Sequence, residues 1–212
     1  MLVCSILFTL SSNLYGISSY RQGHYVSKSY LHNIFKKVKR TSNVSQTALA
    51  RTFVYYERNR YKKHLSPDYL AIADYTKVAT QKRLYIVNLH TGKVYRHLLS
   101  HGTKSGSRYG RVWHSSNVIN SHMTPYGFFK IGSKEGRTYT KRYKYLSVQG
   151  LERSNRKVGW STKRGGRDVL LHTANYVNWQ GRSYGCFAIR PQDKWKVFPK
   201  LKRALFYSYT GR

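Results

Sequence analysis

Two residue types that can work as a nucleophile and its base stand close together in HTANYVNWQGRSYGCFAIR, residues 172–190. His172 leaves an apolar run, and Cys186 follows Ser183-Tyr184-Gly185 fourteen positions later. A cysteine attacks as its thiolate, and forming the thiolate needs a base or a positive neighbour. Arg182 and Arg190 flank the cysteine and would lower its thiol pKa. Gly185 permits close backbone approach, so the N–H groups of Gly185 and Cys186 could face a developing oxyanion. Ser183, or a backbone carbonyl nearby, could orient the imidazole through its second nitrogen. Each piece also has a structural reading. A lone cysteine is commonly an inert buried small residue, and a strand histidine a satisfied core group. Spacing alone does not separate the two.

Composition narrows the chemistry. Against 39 Lys plus Arg stand only 7 Asp plus Glu, a net charge of +32. Such a field favours anionic partners: nucleic acid, acidic lipid or anionic wall polymers. The acids are Glu57, Asp68, Asp74, Glu135, Glu152, Asp168 and Asp193, scattered singly. No local motif pairs them as a two-carboxylate glycosidase or a carboxylate-rich metal site requires. His101, His114 and His122 match no zinc-ligand spacing, and nothing calls for a metal or cofactor. His101-Gly102 either lines a substrate groove or ends a strand at a turn.

The elements that must position these residues follow from periodicity. MLVCSILFTL and the small polar residues after it read as a secretory signal over 1–19, with no basic residue ahead of the apolar run. Its removal takes Cys4 away, leaving one thiol and no internal disulfide. In an oxidising compartment a lone thiol is a liability unless buried or used, which raises the claim of Cys186 to a function. No other apolar run approaches the ~20 residues of a membrane span. Residues 20–45 contain no acid and carry Lys36, Lys37, Lys39 and Arg40; they read as a basic linker outside the folded core, or a tether to an anionic surface. From Ser45, a possible N-cap, Leu49, Phe53 and Tyr56 form a helical stripe within 45–65. The period then becomes two. RLYIVNL (83–89) and KVYRHLL (93–99) alternate around His90-Thr91-Gly92 as a hairpin. Further strands are expected at 125–132, 144–151, 168–174 and 204–210, with Pro191 opening a short helix at 191–198. The domain is mainly β, with one N-terminal helix and one short late helix.

Taken together, His172 with Ser183-Tyr184-Gly185-Cys186 resembles the His…Ser-x-Gly-Cys signature of murein L,D-transpeptidases, the YkuD-type catalytic domains. The hairpin YIVNLHTGKVYRHLLSHGTKSG (85–106), TPYGFFKIG (124–132) and Gly150-Leu151-Glu152 also fit one branch of that family, so the similarity covers roughly 46–210. It implies an L,D-transpeptidase-like β-sandwich of mixed sheets as a catalytic domain over 46–212, with a short helix after the cysteine. Some positions depart from the family pattern. Tyr184 stands where many members have His, and Thr173 stands where Gly usually follows the catalytic His. An Arg is common two residues after the Cys; here Arg190 is the nearest.

The resemblance also implies a reaction. Cys186 attacks a meso-diaminopimelate carbonyl in a tetrapeptide stem of peptidoglycan, expels D-alanine, and passes the acyl group to an amine or to water, with His172 carrying the proton. Gly185 and Ser183 belong to that catalytic group; Arg182, Tyr184, Arg190 and His101 are the expected substrate contacts. Arg182, or a neighbouring loop Arg, is expected to read a stem carboxylate. The partners implied are stem peptides and anionic envelope polymers, in the periplasm or cell wall. A hydrolase or carboxypeptidase on the same fold, or an inactive wall-binding relative, keeps the architecture and changes the outcome. A nucleic-acid binder would suit the charge and the many tyrosines. Against it, the basic residues are spread along the whole chain and no helix-turn-helix, RNP strand or finger spacing appears. A papain-type peptidase has its Cys before its His, the reverse of this order.

Overall fold

The computed structural model describes residues 23–211. The expected signal segment, Cys4 and the first residues of the expected linker lie outside the described residues. Three α-helices and eight strands follow in order: α1 Lys28–Thr41, α2 Gln46–Asn59, β1 Tyr69–Asp74, β2 Leu84–Asn88, β3 Val94–His97, β4 Gly127–Arg137, β5 Lys144–Gly150, β6 Leu170–Thr173, β7 Phe187–Ile189, α3 Lys194–Leu201 and β8 Leu205–Tyr209.

The basic segment before Ser45 is not a linker outside the core. Ser27 caps α1 by accepting from Tyr30 N, and Leu31, Ile34 and Val38 are buried at helical spacing. Lys36, Lys37, Lys39 and Arg40 occupy the opposite, exposed face. Each of the three buried side chains contributes about 1.5–3 kcal/mol, more than exposed lysines cost a helix. Helix α2 begins as expected, with Ser45 Oγ accepting from Ala48 N and Leu49, Phe53 and Tyr56 buried. Both helices pack on one face of the sheet, against Leu70, Ile72, Val87, Phe128, Leu205 and Tyr207.

The strands form one mixed sheet in the order β3-β2-β1-β8-β4-β5-β6-β7. The β1–β8 and β6–β7 pairs are parallel and the others antiparallel. The mainly β, mixed architecture expected from the sequence is therefore present, joined as a single sheet that curls over its own inner face. Four strand steps separate β8 from β7, about 19 Å in a flat sheet. Yet the Phe187 and Phe206 rings lie 4.7 Å apart, and Phe129 and Phe187 5.7 Å apart. Inside the curl lie Ala71, Ala73, Ile86, Ile131, Leu171 and Phe187, closed by Val197, Phe198 and Leu201 of α3. The curl almost closes. Beyond β3, Ser100 N donates to Ala188 O at 2.9 Å and Ala188 N to Ser100 Oγ at 3.2 Å. The short late helix is preceded by a 3-10 turn with Pro191 at its first position.

Candidate active site

Strand alternation decides which side chains meet. β6 and β7 pair in parallel with Leu171 opposite Phe187 and His172 opposite Ala188. Leu171 and Phe187 point into the main core. Because successive side chains alternate, His172 and Ala188 face the other side, and Cys186, one residue before Phe187, shares that side. Ala188 there joins Ala174 and Val177, with Tyr143 and Tyr176 packed against them. The chain thus places His172 on β6 and Cys186 at the entry to the neighbouring β7, with Tyr143 and Tyr176 packed on the imidazole.

The imidazole of His172 is 6 % exposed. Tyr143 stacks on it at 4.9 Å and 11°, and Tyr176 meets it edge-on at 6.4 Å. Its Nδ1 lies 3.0 Å from the Thr173 carbonyl oxygen. A carbonyl only accepts, so Nδ1 carries the proton and Nε2 keeps its lone pair. Burial holds the His172 pKa below the ordinary histidine value, partly opposed by that carbonyl bond. A backbone carbonyl orients the ring, one of the two alternatives the sequence left open. Ser183 does something else: its Oγ donates to Cys186 O at 2.6 Å and accepts from Gly185 N at 3.1 Å. That serine turn corrects the expected oxyanion role of the Gly185 amide, which is already occupied, and leaves the Cys186 amide as the remaining candidate.

Cys186 is half-buried, and burial raises its thiol pKa. The Leu170 N–H, bonding the sulfur, and the Arg167 guanidinium pull it back down, while Asp168 pushes it up. Its Sγ lies 3.9 Å from the Asp168 carbonyl oxygen. With the thiol raised and the imidazole lowered, the resting pair is thiol and neutral imidazole. Such a pair acts by general base catalysis at the moment of attack.

Arg167 is the residue the sequence reading missed. It is 5 % exposed and donates Nη1 to Ser116 O and Nη2 to Met123 O, tying the loop between them to the site. Burial lowers its pKa to about 10, and the Cys186 thiolate works in the opposite direction. Gly185, at φ 113°, leaves the space this guanidinium uses: a Cβ there would sit 2.1 Å from Arg167 Nη2. Glycine is needed for both reasons. The signal available in the sequence was its place in STKRGGRD, immediately ahead of the histidine strand, but six other basic residues between 153 and 182 compete with it.

The expected substrate contacts divide. Arg182 is exposed, with Nη1 donating to Thr103 O at 3.1 Å and Gly106 O at 2.9 Å, and Tyr184 is exposed beside His122, ring centroids 4.7 Å apart. Arg190 is drawn away from substrate. Its Nε and Nη2 donate to both carboxylate oxygens of Asp193, at 2.7 and 3.2 Å, which with His97 pulls the Asp193 pKa down against the effect of burial. His101 is corrected too: it is 1 % exposed, with Nδ1 2.7 Å from Arg83 Nη2 and Nε2 3.0 Å from Ser107 O. A ring buried to that degree lines no groove. Among the described residues no cluster of histidine, cysteine and acids is arranged to hold a metal ion.

A half-buried thiol leading into the strand that pairs with that of an imidazole of fixed tautomer offers a nucleophile and a base of the kind acyl transfer uses. The family comparison agrees with the residues: the L,D-transpeptidase catalytic domain model, YkuD_2, matches residues 40–209, and the chain belongs to that family. Among solved structures it is similar to the helical cell shape determining protein Pgp2 from Campylobacter jejuni, at 15% identity and TM-score 0.42, over 68% of this chain and 49% of that one. The chain thus spans about half the length of that protein. It is also similar to an L,D-transpeptidase from Xylanimonas cellulosilytica, at 12% identity and TM-score 0.35, over 90% and 97% of the two chains. No curated protein matches the chain.

Proposed function

We propose that this protein is a cysteine L,D-transpeptidase acting on tetrapeptide stems of peptidoglycan. The observation that carries the reading is the His172 imidazole, fixed on the Thr173 carbonyl with Nε2 unprotonated, on the strand that pairs with the one Cys186 leads into. In the proposed step Nε2 takes the thiol proton as sulfur bonds to the donor carbonyl carbon. The oxyanion so formed is met by the Cys186 N–H. The C–N bond to D-alanine then breaks, its nitrogen takes the proton from His172, and a thioester remains. An acceptor amine attacks that thioester, gives its proton to His172, and releases the thiolate.

Arg167 acts as a positioning residue, holding the 116–123 loop against Gly185 while its charge favours the thiolate. Arg182, exposed and anchored through Nη1 alone, offers its remaining N–H groups to a stem carboxylate. Work on peptidoglycan requires export, which the apolar N-terminal run supports. No helix among the described residues is long and apolar enough to cross a membrane. The test is the intact mass of the protein mixed with a disaccharide-tetrapeptide. An acyl adduct and released D-alanine, both abolished in Cys186→Ala, support the reading; folded protein that yields neither rejects it. Adding an acceptor stem then shows whether an amine or water resolves the thioester.

A further inference from the structure

Four of the seven acids are committed to basic partners: Glu57 to Lys28, Glu135 to Lys194 and Asp193 to Arg190 as ion pairs, and Asp68 to His90 through a 2.8 Å hydrogen bond. Several of the cations left without a carboxylate share one hollow. Lys62, Lys63, Lys130, Arg153 and Arg156 line one cleft, and Arg203 lines a hollow that shares Lys130 with it. None of these six makes an ion pair among the described residues. Glu152 is the single acid in the lining, and its Oε2 already accepts from Phe128 N at 2.7 Å. Lys130, turned over so that Nζ donates to Lys63 O at 2.8 Å, has its pKa lowered by burial and by Arg203.

The walls are fixed by the backbone. One is the turn that ends α2, where Lys63 N donates to Asn59 O and Leu65 N to Arg60 O, each at 2.9 Å. The other is the loop after β5, stitched by Glu152 N to Asn155 Oδ1 at 2.9 Å and Asn155 Nδ2 to Phe128 O at 3.0 Å. Between them Lys130 projects from β4, opposite Gln149. Like charges lining one cleft repel, and an anion in the cleft offsets that repulsion. Arg153 and Arg156 add planar forks suited to phosphate oxygens.

We propose that this cleft binds a linear polymer carrying closely spaced phosphate groups, lying between the Lys62–Lys63 turn and the Arg153–Arg156 loop. The lining holds no aromatic ring. Single-stranded nucleic acid depends on such rings for base stacking, so the site suits a polymer without bases. No residue of the cleft belongs to the Cys186 centre, so this assignment stands or falls independently of the proposed reaction.

The test measures binding of long-chain inorganic polyphosphate to the full chain across a salt series. One variant carries Lys62→Gln, Lys63→Gln, Arg153→Gln and Arg156→Gln; its control carries Lys36→Gln, Lys39→Gln, Arg40→Gln and Lys196→Gln, the same charge removed from exposed positions elsewhere. The cleft variant should lose tenfold or more in affinity at physiological salt, and the control less than threefold. Its log affinity against log salt should also flatten by about two to three units of slope, near 0.7 per lost contact. Should the fourfold variant not fold, the Lys62/Lys63 and Arg153/Arg156 pairs are made separately, each expected to lose about threefold. Equal losses in cleft variant and control, no loss in either, or an oligonucleotide of equal charge binding more than tenfold tighter than polyphosphate each overturns the proposal.

Discussion

His101 and His172 are both buried histidines near the sheet's closing edge, and their fates differ through one nitrogen. His101 uses both: Nδ1 accepts from the fully buried Arg83, and Nε2 donates to the Ser107 carbonyl. Burial first, then the Arg83 charge, pushes its pKa down to about 4, so it stays neutral and carries no proton traffic. His172 spends only Nδ1, and its Nε2 has no protein partner among the described residues. Burial alone therefore says little about a histidine. What distinguishes a base from a fastener is whether its second nitrogen is left to a substrate. Arg83 shows the cost of the fastener: it is fully buried, with Nε on Leu99 O at 3.0 Å and Nη1 on Lys77 O at 3.1 Å. Its Nη2 is the group that meets His101.

Substitutions can break this contrast. His172→Gln, which keeps a side chain of similar reach without a basic nitrogen, should reduce the rate of acylation by about a thousandfold while leaving the melting temperature within a few degrees. Single-turnover mass spectrometry reads the rate, and an activity within tenfold of wild type would remove His172 from the reaction. Arg167→Gln should lower kcat/KM by about tenfold to a hundredfold. It should also move the pH profile of Cys186 alkylation by iodoacetamide upward, a shift that Arg167→Lys partly restores; a purely structural arginine would leave that profile in place.

His101→Leu should do the reverse of His172→Gln. It orphans an Arg83 N–H and the Ser107 carbonyl at a cost of about 2 kcal/mol, a fall of roughly 6 °C in melting temperature, with acylation by the folded protein unchanged. The pH dependence sharpens the same point. In the unfolded chain His101 titrates near its ordinary 6.5 and in the folded one near about 4, so between these values the unfolded chain binds the extra proton. Stability should fall as pH drops through that window, by at most about 1.4 kcal/mol per pH unit, and His101→Leu should flatten the slope. The acid limb of kcat/KM should lie below the ordinary histidine value, following the lowered His172 pKa. The smallest effect is expected of Arg182→Ala, a rise in KM of about threefold to tenfold with kcat kept. An unchanged KM would exclude Arg182 from substrate recognition.

Much of this was legible in the sequence where a pattern had two sides. α2 has a helical stripe and the β2–β3 hairpin and most later strands are apolar runs bounded by turn residues, and their positions were read to within a few residues apart from β4, which runs on to Arg137. β1 was invisible because it is a central strand: Leu70 and Ile72 face the helices, Ala71 and Ala73 the inner core, and its one acid, Asp74, is buried at the strand's end. β7 is three residues long and wholly buried, too short to show a period. α1 was misread because its charge drew attention from the stripe of Leu31, Ile34 and Val38. At the site, residue type and order brought out Cys186 and His172. Which carbonyl holds the ring, and which of many arginines lies behind Gly185, depends on how distant loops fold back, and local spacing carries no trace of that.

The seam between Ser100 and Ala188 has a consequence for the molecule's company in solution. The free side of a terminal strand is a template on which another chain can add itself. Here the side of β7 turned away from β6 is taken by the chain's own segment after β3, through Ser100 at Ala188 and through Ser183 N to His101 O and Thr103 N to Ser183 O, at 2.9 and 2.8 Å. The strand that leads out of Cys186 is thereby withheld from intermolecular pairing, and the thiol is kept off an aggregation-prone border.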